Sequence, residues 1–173
     1  QTDKADPRAV ALADRHYSRQ TPGSPFFTRP GRNLTLYARC PCGCRGEAVF
    51  NWWSGFRHDG LPSETTVECT IFRNETHALS SDLIIDATRA LACTPLWLPV
   101  VVTGINSEAT VTRRSRQSLP GQCFRKAGWI DFPHRTRRAN TWLRFPFEEI
   151  AAIGGPIAAT RERRGQTEIV WQP

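Results

Sequence analysis

Three small groups of residues carry side chains suited to chemistry. His16-Tyr17-Ser18 sets an imidazole, a phenol and a hydroxyl side by side. An imidazole takes up and releases a proton near neutrality, so His16 is suited to orient a substrate or move a proton. The plainer reading of such a triplet is a helix end, with His16 as a cap and Tyr17 on a buried helix face. Two carboxylates form the second group. Glu68 lies within a β-branched stretch and Glu75 just past it, where a carboxylate can accept a proton directly or through water; a salt bridge or a solvated loop is the competing role. Arg73 and Asn74, next to Glu75, offer hydrogen-bond donors to an anion. The third group is Cys40-Pro41-Cys42-Gly43-Cys44, three thiols within five residues. Soft sulfur ligands so close together fit zinc or iron, with His58 or another chain supplying a fourth ligand. Cys69, Cys93 and Cys123 bring the total to six. The even count permits disulfides, but the crowding of half the cysteines into one turn favours reduced thiols in a cytoplasmic protein.

The elements that must position these groups centre on residues 65–93. Thr66 to Phe72 alternates as a strand does, with Val67, Cys69 and Ile71 expected on one face and Thr66, Glu68, Thr70 and Phe72 on the other. A polar turn follows, Ser80 or Ser81 is suited to cap a helix, and Leu83, Ala87, Ala90 and Leu91 recur at helical spacing. A strand feeding a helix through a polar turn presents unpaired N–H groups, here at Ser80, Ser81 and Asp82, to an anion such as a pyrophosphate. Upstream, Asp6-Pro7 opens a helix expected to bury Val10, Leu12, Ala13 and Tyr17 and to end within His16-Tyr17-Ser18-Arg19. Residues 33–39 and 48–53 read as a hairpin joined by the cysteine turn. Residues 99–105 read as a buried strand parallel to the central one, completing a βαβ unit. Beyond a basic loop at 106–119, residues 120–128 read as a short helix stopped by Gly128. Residues 129–132 and 141–145 read as a hairpin, 147–153 as a short helix and 168–171 as a last strand.

The whole is read as one domain of residues 1–173, with a core over about 5–145 and an extension over 146–173. An apolar fraction of 39% excludes a disordered chain, and no apolar run approaches the ~20 residues of a membrane span. No secretory signal is apparent at the start, and a cytoplasmic location is expected. The net charge is +7, and all of the 23 basic residues except Lys4 and Lys126 are arginines. Guanidinium groups pair with phosphate oxygens bidentately and stack on bases. An arginine-rich coding bias accounts for part of this; the clustering of Arg113, Arg114, Arg116, Arg135, Arg137 and Arg138 in the second half, with aromatic residues interleaved, points further to a DNA-binding face.

The order of elements resembles the GNAT acyltransferase fold: helix, antiparallel strands, a long central strand, a polar loop, a helix, a strand, a short helix and a hairpin. The segment Cys123-Phe124-Arg125-Lys126-Ala127-Gly128-Trp129 is similar to the closing part of that fold, where a helix carrying an aromatic residue is followed by a glycine and an aromatic. More narrowly, His16-Tyr17-Ser18, the turn Arg73-Asn74-Glu75 and Ala127-Gly128-Trp129 resemble the Mom-type phage DNA-modification proteins, over about residues 5–145. The resemblance implies a mixed, mostly antiparallel α+β sheet with a central βαβ unit and helices on both faces. It implies acetyl-CoA or a related acyl-CoA as donor, held by Arg73, Asn74, Ser80, Ser81, Asp82 and Phe124. Tyr17 would be the general acid that protonates the leaving thiolate, with His16 and Ser18 beside it and Glu75 or Glu68 as base. The substrate implied is an exocyclic base amine, adenine foremost, in phage DNA protected from restriction. A target base must leave the duplex stack, and Trp52, Trp53 or Trp129 is available in sequence to stack on it. Two features depart from the family patterns. The stretch from Arg73 lacks the glycines of the usual pyrophosphate loop, and Asn106 stands where an acidic residue is the rule. An acetyltransferase of a small amine or a protein, and a basic nucleic-acid-binding domain without catalysis, fit the same composition.

Overall fold

The computed structural model describes residues 1–110, 119–137 and 141–146. In chain order the elements are α1 (Pro7–Ala13), β1 (Arg32–Arg39), β2 (Glu47–Ser54), β3 (Thr66–Asn74), α2 (Ser80–Ala92), β4 (Val100–Ile105), α3 (Gln122–Lys126), β5 (Ile130–Asp131) and β6 (Thr141–Phe145). The short helix and the last strand expected at 147–153 and 168–171, Arg113, Arg114, Arg116 and Arg138 lie outside the described residues.

The strands form one sheet in the order β1-β2-β3-β4-β6-β5. Only β3 and β4 run parallel, joined through α2; the other neighbours are antiparallel. This is the mixed, mostly antiparallel sheet of an α+β fold. Helices cover both faces, because each strand of the first hairpin is apolar on both sides. Leu34, Leu36, Phe50, Trp52 and Val67 pack with Ile84, Ala87 and Leu91 of α2 and with Phe124 of α3. Tyr37, Val49 and Ile71 pack with Ala9, Leu12 and Ala13 of α1. Burying each large apolar side chain stabilises the fold by roughly 1.5–3 kcal/mol relative to exposure.

The central strand does not keep a single alternation. Asn51 of β2 pairs with Ile71, while the next residue, Trp52, pairs with Cys69. Thr70 is therefore an extra residue, a β-bulge, and every side chain beyond it changes face. Val67 and Cys69 join the α2 side, whereas Ile71 joins the α1 side and Phe72 returns to the α2 side. The expectation of Val67, Cys69 and Ile71 on one face is corrected accordingly. Asn51 pins the bulge: its amide donates to Thr35 Oγ1 (2.9 Å), and its carbonyl oxygen accepts from Thr70 Oγ1 (2.8 Å). A buried Asn whose two ends both find partners specifies one register.

The bulge coincides with the end of parallel pairing. β3 and β4 pair from Thr66↔Val100 to Cys69↔Thr103 and no further. Both strands run on, to Asn74 and Ile105, so a gap opens between them on the carboxyl side. A parallel pair that separates at its carboxyl end leaves a natural crevice.

The first helix is shorter than its sequence implies. Asp6 caps it, its carboxylate accepting from the Arg8 amide at 2.9 Å, but it stops at Ala13. The Asp14 carboxylate takes hydrogen bonds from Arg19 Nε (2.6 Å) and the Gly23 amide (2.8 Å), which draws the chain into a loop instead of a further helical turn. Tyr17 therefore lies beyond the helix rather than on its buried face, 40% exposed. At the start of α2 the N-cap is Leu79, without a side-chain cap; Ser80 is already helical.

Candidate functional site

Tyr17 reaches the gap between β3 and β4. The backbone N–H of Asn106, just past β4, bonds to its hydroxyl, and Cys69, Cys123 and Glu68 are its electrostatic neighbours. Burial raises the phenol pKa, the Asn106 amide opposes this, and the neighbouring acidic groups add to the rise. The phenol is thus a proton donor at neutral pH. His16 stacks against it, ring centroids 4.3 Å apart. The Ser18 amide donates to His16 Nδ1 (3.3 Å), and Ser18 Oγ lies 2.7 Å from the same nitrogen. Since a backbone N–H can only donate, Nδ1 is the acceptor and the ring proton belongs on Nε2. Burial, and then the charge of Arg73, bring the His16 pKa down to about 4. The ring is a neutral, weak base at pH 7.

Glu75 does not have the character of a general base. Arg15 grips it through Nε (2.8 Å) and Nη2 (2.7 Å), and Arg73 Nε adds a bond at 2.6 Å. The hydrogen bond from Arg15, with that from Arg73, holds its pKa down to about 2. Arg73 also donates to the Arg15 carbonyl. The three charged groups fasten the turn bearing His16 and Tyr17 to the end of β3, so Arg73 and Glu75 are positioning residues here, not a phosphate ligand and a base. Asn74 is likewise spent on its own loop: Nδ2 donates to Ala78 O (2.8 Å) and Ser80 Oγ (3.1 Å), and Oδ1 accepts from the Thr76 amide and hydroxyl.

Both lowered pKa values make the fold acid-sensitive, with a definite sign. A group whose pKa is lower in the folded state stabilises the fold above its unfolded value, and that contribution is lost as pH falls toward the folded value. His16 acts between its ordinary 6.5 and about 4, Glu75 between 4.5 and about 2. Thermal unfolding should weaken across both windows; His16→Asn should flatten the upper one and Glu75→Gln the lower. An unchanged slope in either variant overturns that assignment.

Glu68, within β3, adds to the charge felt by Tyr17 and is held by Arg29 Nη2 (2.7 Å) and Arg57 Nη2 (2.9 Å). The Arg57 side chain is fully buried and also pairs with Asp59. Arg29 stacks over Trp53 at 3.7 Å. Gly55 packs so closely on Trp53 that a Cβ would meet Cζ2 at 2.8 Å. The ring is sealed.

That sealing corrects the expected base-stacking platform. Trp52 and Trp53 are both 0% exposed and Trp129 only 2%. Alternation puts Trp52 and Trp53 on opposite faces, but helices or loops cover both faces, so neither meets solvent. Among the described residues, the most exposed aromatics are Tyr17, Phe26 (61% exposed) and Phe56 (75% exposed). Phe124, expected near a cofactor, is buried against Phe50, Phe72 and Trp129. At the α2 N-terminus, the Asp82 amide already donates to Leu79 O (3.0 Å), so the Ser80 and Ser81 amides are those left to face an anion. Arg135 and Arg137 are exposed. Arg135 lines a cleft of about 600 Å³ with Phe132, His134 and Trp142. Thr141 and Trp142 pair with Ile105 and Gly104, so this cleft lies at the same end of the sheet as Tyr17.

The remaining cluster lies elsewhere. Cys40, Cys42 and Cys44 occupy the β1–β2 turn, their sulfurs within 4.8 Å of one another, a group able to hold a metal ion. The hydrogen bond with Cys42 draws Cys40 down to about 7, and the same bond pushes Cys42 up to about 11. His58 cannot join them. It lies on the β2–β3 loop against Phe56, at the far end of an eight-residue strand about 25 Å long.

Sequence reasoning missed Asn106 as a backbone donor and Cys69 and Cys123 as neighbours of the phenol. The signal that points to them is their position, within or just past the two parallel strands and at the start of the following helix. Comparison with protein-family models, curated proteins and solved structures finds no match for this chain. The site's own geometry therefore carries the functional reading. No described helix is long and apolar enough to cross a membrane.

Proposed function

We propose that this chain is a GNAT-like transferase that modifies an exocyclic base amine, adenine foremost, in phage DNA, with an acyl-CoA as donor. The observation that carries the reading is the protonated Tyr17 phenol at the opening between β3 and β4, beside the Asn106 amide and with Glu68 among its charged neighbours. A thioester lying in that opening, its phosphates toward the Ser80 and Ser81 amides at the α2 N-terminus, would bring its sulfur to the phenol.

In this mechanism the acceptor amine attacks the thioester carbonyl. The carbon–nitrogen bond forms as the carbon–sulfur bond breaks, the amine proton passes to Glu68 or through water to solvent, and Tyr17 donates its proton to the departing thiolate. The acid is a partly exposed phenol, and because Arg29 and Arg57 hold Glu68, water is the main route for the amine proton. His16 orients Tyr17 by stacking, and the Arg15–Glu75–Arg73 group holds the turn that carries both. Exposed Phe26, on the loop that follows Tyr17, takes over the stacking role assigned in sequence to the tryptophans. Arg135 and Arg137 and the aromatic cleft beside them offer a surface to the DNA backbone. Zinc or iron at the cysteine turn stands apart from this chemistry.

Nucleoside mass spectrometry on plasmid DNA from cells expressing the protein tests the reading. A mass-shifted nucleoside is expected with the native chain, and Tyr17→Phe should lower its yield by about 10²-fold while the variant stays folded. Unmodified DNA from cells holding soluble native protein, or full yield with Tyr17→Phe, overturns it. A transferase of small amines would instead acetylate free amine acceptors and leave the DNA unaltered.

A further inference from the structure

The turn joining β1 and β2 is built around sulfur. Gly43 (φ 77°) and Arg45 (φ 58°) both take left-handed conformations, folding the turn so that its backbone N–H groups meet the cysteine side chains. The Gly46 amide donates to Cys44 Sγ at 3.4 Å. The peptide N–H groups of Cys42 and His77 lie near Cys40 and that of Cys44 near Cys42, and each favours the thiolate. A thiol sulfur is a weak acceptor, whereas a thiolate is a strong one, and nearby N–H groups are the outer-shell support that metal-bound thiolates require. Cys40 and Cys42 sulfurs lie only 2.8 Å apart, so a shared zinc, with Zn–S of about 2.3 Å, would spread them to about 3.8 Å.

A second observation links the cluster to the rest of the molecule. The His77 N–H near Cys40 belongs to the β3–α2 loop, not to the cysteine turn. Gly46 packs on the same loop so closely that a Cβ would lie 2.7 Å from Glu75 O and 2.9 Å from Thr76 Cα. The Glu75 amide donates to Glu47 O at 2.8 Å. The sulfur turn therefore abuts the segment that leads into α2.

We propose that Cys40, Cys42 and Cys44 form a zinc site that braces the β1–β2 turn against the β3–α2 loop. All three donors are sulfur, which favours a soft or borderline cation over calcium or magnesium. Zinc binding displaces the three thiol protons to solvent and leaves three thiolates on the ion, with no change in oxidation state. Cys42 and Cys44 are exposed, leaving room on that side for a water or the His77 imidazole as fourth donor. The site is structural: it orders residues 75–79 and through them the start of α2. It does not depend on the transferase reading, and its test does not measure turnover.

The test uses the full chain, reduced, stripped with a chelator and reloaded with zinc alone. One zinc per chain retained through desalting is expected, with three fewer thiols reacting with a colorimetric thiol reagent until chelator returns. Cobalt in place of zinc should give sulfur-to-metal charge-transfer absorption. Amide hydrogen exchange at residues 76–79 should slow several-fold on zinc addition. Cys44→Ser should weaken retention at least tenfold, whereas Cys93→Ser, outside the cluster, should retain zinc as the native chain does. If the Cys44 variant misfolds, the thiol and cobalt measurements on the native chain decide alone. Cys40, Cys42 and Cys44 reacting after zinc loading as they do without it, a Cys40–Cys42 disulfide that excludes the metal, or unchanged exchange at 76–79 despite bound zinc overturns the proposal.

Discussion

Replacing Trp52 with alanine is expected to destabilise the fold by about 4 kcal/mol, a loss read directly from the midpoint of urea unfolding. The indole is fully buried on the α2 side of the sheet. It lies parallel to Trp129 at 6.1 Å, tilted against Phe50 at 4.7 Å, and its N–H donates to Ala87 O of α2 at 3.2 Å. Alanine removes the ring's packing, leaves a cavity, and strips the bond tying β2 to the helix. Trp52→Phe keeps much of the volume but no N–H, so it should cost less, about 1–2 kcal/mol. The comparison also separates two roles for the residue. A core tryptophan costs stability when truncated; a base-stacking tryptophan costs DNA affinity and leaves stability alone. Native stability with weakened DNA binding in Trp52→Ala would return the residue to the nucleic-acid face.

Removing the Glu68 carboxylate is the second large effect. Glu68→Ala should destabilise by about 3 kcal/mol, because the fully buried Arg57 side chain loses a partner at 2.9 Å and keeps only Asp59. Arg57 Nη1 already has no partner among the described residues, so further loss of acceptors is poorly tolerated. Pairing Glu68→Ala with Arg57→Met should recover much of the stability, since the stranded charge is gone. Full additivity of the two single effects in that double-mutant cycle would refute the coupling. Glu68→Gln serves the separate question of catalysis. It keeps the side chain's shape but removes the base, so turnover should fall more than stability does.

Much of the framework was legible along the chain. The Asp6-Pro7 opening, the hairpin around the cysteine turn, the βαβ unit and the closing hairpin are all present where alternation and helical spacing put them. Such signals are local: period two or 3.6 follows from how one strand or helix buries one face. The bulge at Thr70 was not legible, because an extra residue in β3 is defined only by its pairing with Asn51 and Trp52 of another strand. The end of α1 was misread for a similar reason, since Asp14 stops the helix by bonding to Arg19 and Gly23, later in the chain. The tryptophans were misassigned because aromatic character describes both a stacking surface and a core, and only burial separates them.

By itself, then, the sequence determined the element types, their order, the α+β class and the three sulfur ligands of one turn, all of which depend on residues a few positions apart. The tertiary structure decided what surrounds each acid and base candidate. Glu75 is neutralised by Arg15 across 60 positions, and Glu68 is gripped by Arg29 across 39. Tyr17 meets the Asn106 amide only when the loop after α1 closes over the β3–β4 gap. The physical reason is that a side chain's charge and proton affinity depend on the dielectric and the charges around it, and folding brings those from distant parts of the chain.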